Sequence, residues 1–286
     1  MKKVLVLAAA MMAAVFSAKA EVEFAYEAGA DVVTSYIWRG MNNGGLSLQP
    51  EGLVGFNAND EAIQFRAGVW ANIGASDWKF KTDGTEILGV NPNTYFVPEV
   101  DFIASFTAYG ASVGFNEYYY CDDGSTHQSE IWAGFNLSHL LGEYAGAYVN
   151  WYTMVAGDDV LPETDLAKIA QGKLEKQAFS SYLEVGYDYT FENIGLTLGA
   201  QVGMSPWESP VYGNDKFAVV NVSAKIDKEF EFEKFTLNVF AQGSINPDGL
   251  ITDRDDPFYN VYIDAAGDNK LYMQKLNGCI GVGFWF

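Results

Sequence analysis

GCIGVGFWF, residues 278–286, closes the chain with an apolar side chain at every second position. Ile280, Val282, Phe284 and Phe286 share one parity, and Cys279, Gly281, Gly283 and Trp285 share the other. Successive side chains of a strand point to opposite faces, so one face of this ending is a continuous apolar row. Chain ends of water-soluble domains are commonly polar and poorly ordered. An apolar row running to the last residue implies a final strand that is tied down and whose outer face meets lipid.

The same period recurs upstream. In KFTLNVFAQGS (234–244), Phe235, Leu237, Val239 and Ala241 oppose Thr236, Asn238 and Gln242. In SSYLEVGYDYTF (180–191), Leu183, Val185, Tyr187 and Tyr189 oppose Glu184, Gly186 and Asp188. In FAVVNVSAKID (217–227), Ala218, Val220, Val222, Ala224 and Ile226 oppose Asn221, Ser223, Lys225 and Asp227. Composition agrees with long β structure: 15% aromatic residues, 29 glycines, and only 19% charged residues in 286.

A soluble sandwich alternates too, so strand length decides between them. Globular strands average about 5–6 residues, whereas membrane-spanning ones need about 9–11. The runs here are of the longer kind. Tight connections are expected near 59–61, 109–110, 139–143, 192–193 and 229–233. Longer polar ones are expected near 75–97, 121–126, 156–177, 207–215 and 246–272, and a shorter one at 40–45 joins this second set by alternation. Short and long alternate, as periplasmic turns and extracellular loops do in outer-membrane barrels. The expectation is an all-β, transmembrane, antiparallel up-and-down barrel of twelve strands, starting near residues 22, 46, 62, 98, 111, 127, 144, 178, 194, 216, 234 and 273. ETDLAKIAQGKLEK (163–176) carries Leu166, Ile169 and Ala170 at helical spacing and is a candidate loop helix.

The N-terminus supplies a compartment. Lys2 and Lys3 precede an apolar core from residue 4 to 16, and Ala18-Lys19-Ala20 follows as a small-residue site. That is the layout of a cleavable secretory signal, expected over residues 1–20 ahead of a barrel domain at 21–286. Its loss removes three lysines and no acid, leaving 14 bases against 37 acids and a formal net charge of −23. Such acidity excludes nucleic acid as a natural partner. Cys121 and Cys279 fall on the fifth and twelfth expected strands, too far apart around the wall to bridge. No metal site or cofactor is expected. The acid clusters CDDG (121–124) and TDRDDP (252–257) are taken as solvated loop acids.

Charge parity sharpens the barrel reading, because Arg or Lys on the lipid face near mid-membrane costs about 2–4 kcal/mol. Glu23, Glu27, Asp31 and Arg39 oppose Phe24, Tyr26, Val32, Tyr36 and Trp38. Arg66 opposes Phe65, Ala67 and Val69. Glu99 and Asp101 oppose Phe102 and Phe106, and Glu130 opposes Ile131 and Phe135. Glu117 is the exception, sharing parity with Val113 and Phe115. The expected lumen-lining set is Asp31, Arg39, Glu51, Arg66, Trp70, Asp101, Glu130, Glu184, Asp188, Lys225 and Lys275. Pairing the first two strands around GMNNGG (40–45) would set Asp31 opposite Gly55, and Gly55 opposite Arg66. An Asp31–Arg66 salt bridge over the glycine is the resulting expectation.

Gly281, Phe284 and Phe286 resemble the C-terminal signal that commits outer-membrane barrels to assembly. TSYIWRGMNNGGLSLQPEG (34–52), FRAGVWANIG (65–74) and HQSEIWAGFNL (127–137) resemble the bacterial TorF-type porin family. Tyr36, Arg39 and Gly40, then Gly68 and Trp70, then Glu130 and Gly134 carry that resemblance, which covers roughly the first half. It implies an outer-membrane channel of a Gram-negative bacterium, not an enzyme, passing small solutes, and a monomer is expected. Its partners would be outer-membrane lipid and lipopolysaccharide, with the barrel assembly machinery taking the last strand. Weak cation selectivity is expected from the inward acids Glu27, Asp31, Glu51, Glu99, Asp101, Glu130, Glu184 and Asp188, which outnumber Arg39, Arg66, Lys225 and Lys275. Two rivals are a closed structural or adhesion barrel, and a lipid-modifying enzyme using His127 and Ser129. HQS (127–129) resembles the His-x-Ser of outer-membrane phospholipase A, but Glu130 replaces that family's continuation.

Overall fold

The computed structural model describes residues 22–59, 62–74, 98–121, 126–137, 146–247, 262–263, 269–270 and 276–286. In chain order the strands are β1 (Val22–Val33), β2 (Tyr36–Trp38), β3 (Met41–Gly44), β4 (Ser47–Ala58), β5 (Ile63–Gly74) and β6 (Glu99–Ala108). There follow β7 (Ala111–Tyr120), β8 (His127–Asn136), β9 (Ala147–Gly157), β10 (Val160–Pro162), β11 (Glu175–Gln177) and β12 (Ser181–Phe191). The last are β13 (Leu196–Ser205), β14 (Ala218–Glu231), β15 (Thr236–Ile245), β16 (Tyr262–Ile263), β17 (Asn269–Lys270) and β18 (Leu276–Trp285). Twelve of them close into an antiparallel barrel in the order β1-β18-β15-β14-β13-β12-β9-β8-β7-β6-β5-β4. Each starts within three residues of its expected position.

The apolar rows lie on the outside. Phe24 is 73% exposed and Ile280 60%, and Tyr26, Val54, Phe102 and Ile131 are exposed beside them. A wall of this kind faces hydrocarbon on one side while its backbone bonds are satisfied by closure, which removes every edge. The ladder between β1 and β18 closes the ring through five paired positions, Gly29↔Trp285 to Val33↔Gly281. Cys121 and Cys279 carry no disulfide.

The connection after β1 departs from expectation. β1 pairs with β4 from Val33↔Ser47 down to Val22↔Ala58, so Ala25, and not Asp31, faces Gly55. Gly55↔Arg66 is as expected. The slip is six residues, because residues 34–46 leave the wall and form their own hairpin of β2 and β3. Arg66 therefore bonds Glu27, Nε to Oε1 at 2.9 Å, and Asp31 accepts from Trp285 Nε1 at 3.3 Å. Tyr36 and Trp38, expected toward lipid, are inside.

A second departure is a bulge. The β13–β14 register shifts at Gly203/Met204, where Gly203 pairs Asn221 and Met204 pairs Val219. The extra residue, Val220, turns inward and joins Ala218 in a buried cluster with Tyr182 and Tyr212. Neither Ala218 nor Val220 continues the outer row as the alternation implies. A bulge inserts one residue and reverses the faces beyond it.

Glu117 is outward, as its parity implies, and the β6–β7 and β7–β8 registers run through it unshifted. Its carboxylate is occupied by the neighbouring strand. Ser129 Oγ donates to Oε2 at 2.5 Å, and His127 Nδ1 lies 2.6 Å from Oε1. In the 163–176 segment one helical turn forms, α1 (Leu166–Ile169), with Asp165 as N-cap accepting from Ala167 N at 2.9 Å.

Candidate functional site

The two central residues of the β2–β3 hairpin, Arg39 and Gly40, have φ of 49° and 83°. Two successive left-handed residues make the tight hairpin turn whose twist matches its strands. At Gly40 nothing larger fits, since a Cβ there would stand 2.8 Å from Asn221 Oδ1. The sequence thus builds a short, sharp hairpin, and its tip carries a guanidinium into the barrel.

That tip is tied to opposite walls. The Gly40 carbonyl accepts from Asn277 Nδ2 of β18 at 2.6 Å. Arg39 Nη1 and Nη2 donate to Glu130 of β8 at 2.6 and 2.8 Å, a bidentate fork. β18 and β8 stand six places apart in a ring of twelve, so the turn spans the lumen. Glu130 is 1% exposed, and its Oε1 also accepts from Tyr118 Oη at 2.8 Å and Asn116 Nδ2 at 3.1 Å.

Aromatic rings enclose the guanidinium. Arg39 Cζ lies 4.0 Å from the centroid of Tyr152, 4.5 Å from Trp38 and 5.0 Å from Tyr182. Its Nη1 also donates to Tyr212 Oη at 2.6 Å. Burial works against the charge on Arg39, but the Glu130 carboxylate together with Tyr212 and Tyr118 outweighs it, and the guanidinium proton is held more firmly than usual. Trp38 stacks on Tyr212 at 5.9 Å and meets Tyr118 edge-on at 5.8 Å.

Tyr212 comes from the connection between β13 and β14, which also folds inward. Ser209 and Asn214 pair across it, and Ser209 Oγ accepts from Tyr212 N at 3.2 Å. Ser209 Oγ donates to Ser180 Oγ at 2.8 Å, and Ser180 Oγ donates to the buried carboxylate of Asp159. Two loops and the hairpin are thereby locked together at the end of the barrel where the long connections lie. Toward the short-turn end the interior is polar, with a cavity of about 300 Å³ lined by Gln64, Thr107, Ser112, Asn136, Tyr148 and Asn150.

Of the expected lumen residues, Asp31, Glu51, Arg66, Trp70, Asp101, Glu130, Glu184, Asp188 and Lys225 share the inward parity of the wall. Arg39 is inside but on the hairpin and not on a wall strand. Lys275 lies outside the described residues, as do residues 1–20 and the TDRDDP cluster. Sequence reasoning missed Tyr152, Tyr182, Tyr212 and Asn277 as partners of the hairpin. His127 and Ser129 both face out, and both bond to Glu117; the hydroxyl proton of Ser129 is directed to the acid. That arrangement lacks the serine-to-histidine hydrogen bond by which an imidazole activates a hydroxyl.

No family model matches the chain, and no curated protein matches it. Solved structures similar to it include OmpF of Salmonella typhi in complex with daunomycin, at 10% identity over 93% of this chain and 98% of that one, TM-score 0.33. OmpT of Vibrio cholerae overlaps at 10% identity, 93% and 99% coverage, and TM-score 0.33. A porin refined at 1.8 Å overlaps at 11% identity, 93% and 100% coverage, and TM-score 0.28. Likeness of this strength carries no functional inference; the barrel stands on its own register.

Proposed function

We propose that the protein is an outer-membrane channel for small solutes, weakly selective for cations, with its extracellular end narrowed by the Arg39 hairpin. One observation carries the reading: a closed twelve-strand wall, apolar outside, has an inward face whose charged side chains are mainly acids. Glu27, Asp31, Glu51, Glu184 and Asp188 share that face with Arg66 and Lys225, while Glu130 is paired with Arg39 and Glu99 and Asp101 are buried. Carboxylates around a confined aqueous path lower the energy of a cation there. The resemblance to the TorF-type porin family and the signal-like first 20 residues agree with this reading. The assembly machinery would take the last strand, and outer-membrane lipid and lipopolysaccharide would surround the belt.

In a planar bilayer with asymmetric KCl, the reversal potential is expected to report cation preference, declining as salt rises because the charges are screened. Anion preference at low salt contradicts the proposal. Absence of any conductance supports the structural barrel instead, for which the hairpin would be a cross-brace.

Orientation has its own test. With Cys121 and Cys279 replaced by Ser, cysteine placed at Leu166, which is 81% exposed in the α1 connection, is expected to label on intact cells with an impermeant maleimide. Cysteine at Asn193, in the short β12–β13 turn, is expected to label only after the outer membrane is permeabilised. Equal labelling of both overturns the assignment of sides.

A further inference from the structure

Glu99 and Asp101 stand two residues apart on the inward face of β6, and they are 4% and 6% exposed. The Glu99 carboxyl is in hydrogen-bond contact with both Tyr36 Oη and the Asp101 carboxyl. Asp101 Oδ1 is buried and has no hydrogen-bond partner. The neighbours across β5 and β7 are Asn72 and Tyr120 beside Glu99, and Trp70 and Tyr118 beside Asp101. All four are uncharged donors or rings. Arg39, the guanidinium of the hairpin, is committed to Glu130. Two touching carboxyl groups taken out of water, with no cationic side chain free to pair with them among the described residues, cannot both stay bare anions: they share a proton or take up a cation in its place.

We propose that this pair is a binding site for a divalent cation of the calcium type. One dication neutralises two carboxylates, which a monovalent ion does not. The available donors are oxygens only: two carboxyl groups, the Tyr36 hydroxyl and the Asn72 amide oxygen, which already accepts from Gln49 Nε2 at 3.1 Å. Hard oxygen donors without nitrogen or sulfur select calcium-like ions over zinc or copper, and a loosely arranged set suits calcium better than magnesium. With only two charged ligands the affinity belongs in the range of about 10⁻⁴–10⁻³ M typical of extracellular modules. Tyr36 belongs to the hairpin and the acids to the wall, so the ion bolts the root of the hairpin to β6. The site stands whether or not the barrel conducts.

Terbium is the probe, because it takes calcium sites and is sensitised by nearby indole; the Trp70 ring is 5.3 Å from that of Tyr36. Folded wild-type protein, excited in the tryptophan band, is expected to give terbium emission that saturates. Millimolar calcium should displace it, and potassium at the same ionic strength should not. Glu99→Gln with Asp101→Asn is expected to weaken terbium binding at least tenfold. Asp188→Asn, on β12, is expected to leave it unchanged. Absence of sensitised emission from the wild type overturns the proposal, independent of how any variant folds. Emission that persists in the folded double variant overturns it too, since the terbium then sits on other acids. Should the double variant not fold, Trp70→Phe serves: it should abolish most of the emission while calcium still competes for the residual signal.

Discussion

Replacing Arg39 with Ala is expected to raise single-channel conductance several-fold while leaving the barrel folded. The hairpin crosses the lumen on two anchors, and the Arg39–Glu130 fork is the stronger of them. Removing one partner of a buried ion pair costs about 3–5 kcal/mol, because the other charge is left uncompensated. Here Glu130 would keep Tyr118 and Asn116 but lose its counter-charge and three stacked rings would lose their cation. At about 1.4 kcal/mol per decade, that loss shifts the seated-to-free ratio of the hairpin by at least roughly 10²-fold. Arg39→Lys should fall between, since an ammonium keeps charge but not the planar fork. Arg66→Ala is the comparison. Its partner Glu27 is half exposed, and a pair of that kind is worth about 0–1 kcal/mol, so the conductance should move little. An unchanged conductance in Arg39→Ala, with the protein still migrating as a folded barrel, would mean that the narrowest point lies elsewhere.

This expectation depends on a segment that the sequence described poorly, and the reason is physical. Wall strands are legible because lipid on one side and water on the other enforce strict alternation over ten or more residues. Tyr36, Trp38 and Arg39 satisfy that same alternation by chance of parity. An aromatic ring packed in the lumen reads like one in the interfacial girdle, and Arg39 reads like any inward charge. Length held the missing signal: a strand from residue 22 to Arg39 would be far longer than the roughly 9–11 residues a tilted span needs. Something in residues 34–46 had to leave the wall. The six-residue difference in register, and with it the loss of the expected Asp31–Arg66 pair, arises because the chain turns at the hairpin's own tip, Arg39 and Gly40, and not around 40–45.

The site is split in the same way. Acids of the inner wall are legible from parity alone, Glu130 among them, because the two faces differ so sharply in solvent. Their partners are not. Tyr212 sits in a connection with no period of its own, and it reaches Arg39 only because Ser209, Ser180 and Asp159 fold that loop inward. Asn277 is an ordinary inward polar residue until the turn of the hairpin arrives beside it. Val220 turns in at a bulge that no local pattern announces. Glu117 is the converse: a lipid-facing acid that looks like an error in sequence and is made tolerable by Ser129 and His127 one strand away. A buried carboxylate that accepts hydrogen bonds loses much of its penalty, and the sequence alone does not display the acceptor's neighbours.

Deleting Phe286 is expected to reduce folded barrel in the outer membrane by about tenfold or more, an effect on closure as much as on stability. The β1–β18 ladder is the one joint that does not arise from a hairpin between chain neighbours, and it pairs five positions where β1–β4 pairs twelve. Phe286 extends that short joint: its N–H donates to Ala28 O at 2.8 Å, and its carbonyl accepts from Ala28 N at 3.4 Å. At the other end Thr34 N donates to Ile280 O at 2.9 Å, so the whole seam hangs between these two fastenings. The side chain matters separately. Phe286 is exposed on the lipid side and lies 6.3 Å from the ring of Phe235, which stacks on Phe232 at 4.7 Å. These rings mark the level of an interfacial girdle at the short-turn end. Long-range closure must be reached before its contacts repay the ordering of the chain, so a weakened seam slows folding and exposes an unpaired edge meanwhile. Phe286→Ala keeps the backbone bonds and loses the ring; Phe286→Tyr keeps both. Folded fractions read from heat-modifiable migration in membrane extracts should therefore rank Tyr above Ala above the deletion. Equal folding of the deletion and the intact chain would show that the last residue neither fastens the seam nor directs assembly.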